Sequence, residues 1–407
     1  MGLDWGDQRH VLELQVRGAG QRERLELSAA PEEFHPWFEA LGERLQKQPV
    51  AIAVEASKGA VIAALAEYAW VVIYPVHPTT SRRFSTAFTP SGAKDDGPDA
   101  RVLLDVLELH RVRLRALAPQ DALTRRVDQL VQWRRKLVDQ RTLFTNQLTS
   151  VLKEYFPQAL SLVGESLSAP LALDFLQRWP QLSALQKARP ETVRSFYYRH
   201  QVRRPERVEQ RLKQIVSARA LTTDAIRCEM GVLQVQNLVS VLRTLNLQIE
   251  KVEAEMTEAF AAHPDAYLFR SLPGAGAAMA PRLCALFGTD RMRWISPAKL
   301  QTYFGIAPVI EKSGKRCWVH WRWGAPTFGR QTLVEWAGIS VRFCSWANDF
   351  YRAQRAQQKS HGTALRALAF KWLRVLWSCW QKRKPYDDQA YLAKLREHRA
   401  PYLVTAT

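Results

Sequence analysis

The stretch "AKDDGPDARVLLDVLEL", residues 93–109, sets three aspartates, Asp95, Asp96 and Asp99, within five positions. Two carboxylates about 4 Å apart repel by roughly 4 kcal/mol at a surface-like dielectric. Either solvent screens such a group or a cation lies between its members. Asp96 and Asp99 are three residues apart, and on a helix beginning there their Cβ atoms lie about 5–6 Å apart on one face. Asp4 closes the first apolar triplet, and Glu55 ends the apolar run "AIAV". Hard oxygen donors of this kind suit Mg²⁺ if the fold gathers them. Two such ions clamp the attacking and leaving oxygens of a phosphodiester. A local reading stands beside the chemical one: Asp96 makes a good N-cap, and Asp99 suits a first helical turn. On spacing alone, Asp95 and Asp7 are rival donors.

A second group lies far along the chain in "EKSGKR", where Ser313 precedes a glycine among Lys312, Lys315 and Arg316. A serine hydroxyl needs activation to attack, and an attacked phosphate needs cationic stabilisation, which these side chains could supply. A polar turn is the plainer reading. In "LPGAG", Gly274 and Gly276 precede a helical pattern, so backbone N–H groups there could hold a phosphate; a tight helix–helix turn fits as well. His320 and His361 are scattered singles. Trp318, Trp321 and Trp323 alternate as on a strand, and Trp372, Trp377 and Trp380 follow a helical period. Core packing accounts for both sets, with base stacking the alternative for the first.

The elements that must position these groups follow from patterning. "HVLELQV" and "ERLELS" alternate like a hairpin, and "PEEFHPWFEALGERLQKQ" reads as a helix entered at Pro31. "VAIAVEAS" and "WVVIYPV" read as strands separated by the helical "KGAVIAALAEYA", with a further helix starting near Asp96. The order predicts a mixed α/β sheet layered by helices over residues 1 to about 115. Residues 116–262 read as mainly helical. One series runs Leu123, Val127, Leu130, Arg134, Leu137, Arg141, Phe144, Leu148, Val151 and Tyr155. A second runs Val235, Leu238, Leu242, Leu245, Ile249, Val252 and Met256. Such spacing keeps one seam toward a partner helix, as in a bundle or an antiparallel, dimerising coiled coil. Residues 263–407 hold nine of the fourteen tryptophans and read as helices interrupted by the loop "VIEKSGKRCWVHWRWGAPTFGR".

Charge is split along the chain. Residues 1–100 carry a net −4, the remainder a net +23, and the last 57 residues hold 12 Lys+Arg against 3 Asp+Glu. An acidic head on a basic body suits a polyanion binder whose head holds metal. The five cysteines are scattered without a C-x-x-C, which argues against a disulfide framework or zinc site. No run reaches the roughly 18 apolar residues of a membrane span, and "MGLDWGDQRH" lacks a signal-peptide pattern. A cytosolic protein with reduced thiols and no membrane partner is expected.

Taken together, these residues resemble the DEDD-type insertion-sequence transposases, serine recombinases guided by a bridge RNA. The family's acidic signature, D, E, then K-x-D-x-x-D-A, reads here as Asp4, Glu55 and Lys94, Asp96, Asp99, Ala100. The family's spacing selects Asp96 over Asp95. Its C-terminal signature reads as "PGAG", "GIAP" (Gly305 to Pro308) and Ser313-Gly314. The resemblance covers nearly the whole chain. It implies a RuvC-like (RNase H-like) domain over 1–115, a coiled coil over 116–262 and a mainly helical transposase domain over 263–407. It further implies Mg²⁺ (or Mn²⁺) held by Asp4, Glu55, Asp96 and Asp99, and a Ser313 that attacks DNA to form a phosphoserine link. The implied partners are double-stranded donor and target DNA, a bridge RNA and further copies of the chain. In that family the acidic domain of one subunit meets the serine domain of another. Two departures stand out: Asp7 occupies a position where the family often has lysine, and "RWGAPTFGRQTLVEW" diverges after the serine loop. Competing readings are a metal-dependent nuclease or junction resolvase using only the acidic site, and a non-enzymatic protein that organises nucleic acid.

Overall fold

The computed structural model describes residues 1–16, 20–56, 59–88, 97–118, 120–314, 316–320, 322 and 324–403. It divides into two compact units, Met1–Pro119 and Gln120–Thr407. Asp96, Lys315, Trp321 and Trp323 lie outside the described residues.

The first unit is built on a five-stranded mixed sheet in the order β3-β2-β1-β4-β5. Its strands are β1 (Gly2–Asp4), β2 (Arg9–Gln15), β3 (Arg22–Ser28), β4 (Val50–Val54) and β5 (Val71–Pro75). Four helices cover it: α1 (Pro31–Arg44), α2 (Ala60–Leu65), α3 (Pro78–Phe88) and α4 (Gly97–His110). Pro31 opens α1 where a missing N–H costs nothing, with Glu32 and Glu33 beside the positive end of the dipole. Side-chain alternation sorts the sheet into two faces. Leu3, Ile52, Val54 and Ile73 join Phe34 and Phe38 of α1 and Ile62 of α2 in one core. Ala51, Ala53 and Tyr74 face the other way and meet Val102, Leu103 and Val106 of α4. The expected α/β layering is therefore present, with both faces covered at β1 and β4 and the edge strand β3 more exposed.

The second unit is helical apart from one hairpin. Its helices α5 (Ala122–Tyr155) and α11 (Ala225–Ala262) enclose α6 (Gln158–Leu162), α7 (Pro170–Arg178), α8 (Leu182–Gln186), α9 (Pro190–Arg199) and α10 (Pro205–Ser217) in sequence. Then follow α12 (Ala266–Arg270), α13 (Gly276–Phe287), α14 (Pro297–Tyr303), β6 (Val309–Ser313), β7 (Arg316–His320), α15 (Thr327–Ser340), α16 (Ser345–Ala356), α17 (His361–Lys382) and α18 (Asp388–Glu397). The region read as a loop around Ser313 is thus an antiparallel hairpin. Polar side chains on both of its faces removed the alternation that marks a half-buried strand.

Helices α5 and α11 run antiparallel, joined by Arg126–Glu255 (2.7 Å) and Arg134–Glu253 (2.6 Å). Val127, Leu137 and Leu148 of α5 are buried, as are Val235, Leu242, Leu245, Ile249, Val252 and Met256 of α11. The two arginines that interrupt the apolar series of α5 have partners on α11: Arg134 pairs with Glu253, and Arg141 Nη1 donates to Asn246 Oδ1 at 3.3 Å. In the C-terminal region the tryptophans form a core in which most of the buried indole N–H groups have an acceptor, Trp294 Nε1 being the exception among the described residues. Trp372 donates to Ser340 Oγ (2.8 Å), Trp380 to the Gly288 carbonyl (2.7 Å) and Trp346 to the Tyr386 hydroxyl (2.8 Å). A buried polar chain links α5 to α13. His263 Nδ1 accepts from the Asp265 amide at 3.1 Å and lies 3.3 Å from Cys284 Sγ. The ring proton therefore sits on Nε2, 2.9 Å from Thr124 Oγ1, whose hydroxyl donates to Asp121 Oδ2 at 2.6 Å. Among the described residues no helix is long and apolar enough to cross a membrane.

Candidate active site

Strand register sets the acidic site. β1 and β4 are parallel neighbours, with Gly2 beside Ala53 and Leu3 beside Val54. One step further along the same register comes Asp4 beside Glu55, at the adjoining ends of the two strands. Alternation decides which way they point. Leu3 and Val54 enter the α1–α2 core, so Asp4 and Glu55 belong to the opposite, α4 face.

Helix α4 brings the third carboxylate to the same end. A Cβ on Gly2 would lie 2.0 Å from the Ala100 carbonyl oxygen and 2.7 Å from the Leu104 amide nitrogen, so the helix backbone crosses directly over β1. The direction of the crossing follows from Arg22 at the start of β3, which pairs with Asp105 (2.6 Å) and Glu108 (2.9 Å). Arg22 is opposite Gln15, beyond the Gly2 end of β1, because Gly2 itself pairs with Glu13. The C-terminal half of α4 is therefore tied down at the start of β1, and its N-terminus lies toward Asp4. Asp99 stands one turn before the buried Val102 and Leu103, on the stripe that faces the sheet.

Asp4 is half-buried, whereas Glu55 and Asp99 are exposed. The Ser81 hydroxyl on α3 donates to Glu55 Oε1 and lies 3.0 Å from the Pro78 carbonyl oxygen. Sequence reasoning missed Ser81, which no local motif connects to Glu55. Among the described residues no three Asp, Glu, His or Cys side chains come close enough to hold a metal ion. Asp96, the remaining expected ligand, falls outside the described residues. Asp4, Glu55 and Asp99 lie toward one end and one face of the sheet without converging to ligand distance; as hard oxygen donors they match a divalent cation such as Mg²⁺ in type.

Ser313 closes the second candidate site. It pairs with Arg316 across the β6–β7 hairpin, with Gly314 in the turn at φ +56°. Pair alternation puts Ser313 and Arg316 on one face together with Glu311 and Trp318. Lys312 pairs with Cys317 and faces the other way, so the cations grouped around the serine in sequence are divided between two faces. Every residue of β7, and all of β6 after Val309, is exposed. A hydroxyl presented opposite a guanidinium, both open to solvent, can meet a phosphate.

The two glycine motifs have packing roles. Gly274 has φ +70°, and a Cβ there would lie 2.7 Å from Ile339 and 2.8 Å from Phe343. Gly305 has φ +65° after α14, where the Ile306 and Ala307 amides both return to the Gln301 carbonyl at 2.9 Å. This turn directs the chain into β6. Gly276 is different: a Cβ there would meet nothing, and the residue borders a cavity of about 150 Å³ with Thr257, Phe260, Arg270 and Ala277.

Comparison with known proteins places this geometry. A family model for DEDD-type IS110 transposases matches residues 1–157, and the transposase model of the IS116/IS110/IS902 family matches residues 266–352. The chain belongs to the IS110 family of insertion-sequence transposases. One relative, the "Mini-circle putative transposase for IS117" of Streptomyces coelicolor, is 26% identical over 98% of this chain and 98% of its own length. The insertion element IS110 uncharacterized 43.6 kDa protein of the same organism is 26% identical over 86% of each chain. The first family match ends at the tip of α5 and the second begins at α12, so the helices from α6 to α11 lie between them.

Proposed function

We propose that this IS110-family transposase cleaves and exchanges DNA strands through a phosphoserine intermediate, with Ser313 as nucleophile and Asp4, Glu55, Asp96 and Asp99 as ligands of Mg²⁺ (or Mn²⁺). The reading rests first on the β1–β4 register, which brings two acids 51 residues apart in sequence to neighbouring strand ends. The N-terminus of α4 at the same end supports Asp99 as a further donor.

A divalent ion held there supplies positive charge to the phosphodiester under attack. Ser313 Oγ forms a bond to phosphorus while the bond from phosphorus to the departing sugar oxygen breaks, and that oxygen takes up a proton. Arg316, across from Ser313, binds a non-bridging phosphate oxygen and steadies its charge. Attack by a free DNA hydroxyl on the phosphoserine then joins the new strand and returns the serine. Ser81 holds the Glu55 carboxylate in one orientation. In this reading a bridge RNA selects the donor and target duplexes and copies of the chain associate, while the apolar seams of α5 and α11 are buried against each other within one chain.

The test is a covalent adduct. Wild-type protein with element DNA, the RNA transcribed beside the gene and Mg²⁺ should give a protein–DNA species that survives denaturation and disappears in Ser313→Ala. A Ser313→Ala protein that still cleaves and joins DNA would overturn the serine mechanism in favour of a nuclease using the acidic site alone.

A further inference from the structure

The helices between α5 and α11 carry a cationic corner that the acidic and serine sites leave unused. Residues 157–224 hold 11 Lys+Arg against 6 Asp+Glu. Three of those six acids already have partners. Asp174 pairs with Arg243 and with His200 (3.3 Å), and Glu191 and Glu209 both pair with Arg194. Where α9 turns into α10, Arg199, Arg203, Arg204 and Arg207 are all exposed, and none is in an ion pair among the described residues. Arg204 stands at the N-cap of α10, whose N-terminal dipole adds to the same positive potential. Arg204, Arg207 and Arg211 recur at helical spacing, so they share one flank of α10.

Arg211 adds an independent observation. Its guanidinium lies 4.8 Å over the Tyr197 ring, yet its Nη1 is enclosed and meets no protein acceptor. An enclosed charged donor without an acceptor is unfavourable. The guanidinium is stacked on Tyr197 and has no hydrogen-bond acceptor among the described residues, so an anion at the corner would supply the partner it lacks.

We propose that the α9–α10 corner is a binding site for the phosphodiester backbone of duplex DNA. Arg203, Arg204 and Arg207 contact phosphates directly, and Arg211 swings from Tyr197 to make a further contact. Duplex DNA fits because its phosphates are dense and outward-facing, and because the corner offers charge in preference to stacking platforms, Tyr198 being the one exposed ring beside it. The inference deepens the transposase reading by adding a DNA contact in the segment between the two matched stretches.

The experiment measures affinity of the full chain for a mixed-sequence duplex across a salt series. It compares wild type, an Arg203→Ala/Arg204→Ala/Arg207→Ala triple variant, the corresponding Arg→Lys triple variant, and Arg211→Gln. Losing three phosphate contacts should lower the log–log salt slope by about 2.7, with affinity reduced about tenfold or more at moderate salt. The lysine triple should restore the slope. Arg211→Gln should weaken binding and lower the salt slope by about 0.9 on its own, a readout that loss of the Tyr197 stacking alone would not move. An unchanged slope in the alanine triple, or no restoration by lysine, overturns the proposal. So does a loss confined to an RNA hairpin, which would assign the corner to RNA. Failure of wild type to bind any duplex would instead count against the transposase reading, so the two failures are distinguishable.

Discussion

Gly2 and Ala100 meet without room for a side chain: a Cβ on Gly2 would lie 2.0 Å from the Ala100 carbonyl oxygen. This contact brings α4 onto β1 and Asp99 to the end of the sheet where Asp4 and Glu55 stand. Gly2→Ala should therefore separate helix from strand. Overpacking against backbone costs about 3 kcal/mol or more at such a site. A lowered denaturation midpoint together with loss of DNA cleavage is expected, and normal stability in the variant would contradict the crossing.

Asp4→Asn and Glu55→Gln change charge with little change in volume. Under the proposed mechanism each should reduce strand cleavage by about a hundredfold or more, because the attacked phosphate would lose the cation assigned to those acids. Neither should weaken duplex binding, since each substitution removes a negative charge that would repel phosphate. Cleavage assays and salt-dependent affinity, measured on the same preparations, separate the two effects. Undiminished cleavage by both variants would remove the acidic site from the mechanism.

Ser81→Ala should lower Mn²⁺ affinity by about tenfold, as expected when a ligand carboxylate loses the hydrogen bond that orients it. Calorimetric titration of Mn²⁺ into wild type and variant reads this directly. Equal affinities would show that the Ser81–Glu55 contact is incidental.

His263 gives a pH signature. Burial lowers its pKa below the ordinary 6.5, opposed by Asp265 and Asp121 and assisted by Arg291. The folded form therefore resists a proton that the unfolded chain accepts. Its contribution is fully present above the unfolded pKa and is lost as pH falls below it toward the depressed folded value. Urea midpoints measured at about pH 7.5 and about pH 5.5 should fall at the lower pH, and His263→Gln should flatten that change. Nearby Asp121 titrates far from this window: burial works against its charge, yet hydrogen bonds from Thr124 and Thr289 bring it down to about 2.

Much of the first unit was legible because β4 and β5 are short apolar runs and β2 and β3 alternate as hairpin strands do. "VAIAV" reads as a buried strand, and the acid that ends it stands at the strand's end in the structure. The alignment of Glu55 with Asp4 was not legible. It depends on a register between segments 50 residues apart, which only the assembled sheet specifies. The serine hairpin read as a loop for the opposite reason: exposed on both faces, it mixes polar and apolar side chains on each, and the alternation seen in its tryptophans did not extend to β6. Arg134 and Arg141 read as faults in an apolar seam because Glu253 and Asn246 lie 119 and 105 residues further along. Ser81 escaped notice in the same way, since its link to Glu55 is made by the fold.

The pairing of β1 with β4 has a consequence for how this enzyme can vary. Side chains alternate strictly, so sliding β1 by a single position would drive Leu3 out of its hydrophobic layer and turn Asp4 away from α4 in the same movement. Correct assembly and a competent acidic centre are thus one and the same structural outcome here. A slip in this one register would be felt at once in the packing of the sheet and in the spacing of its terminal acids.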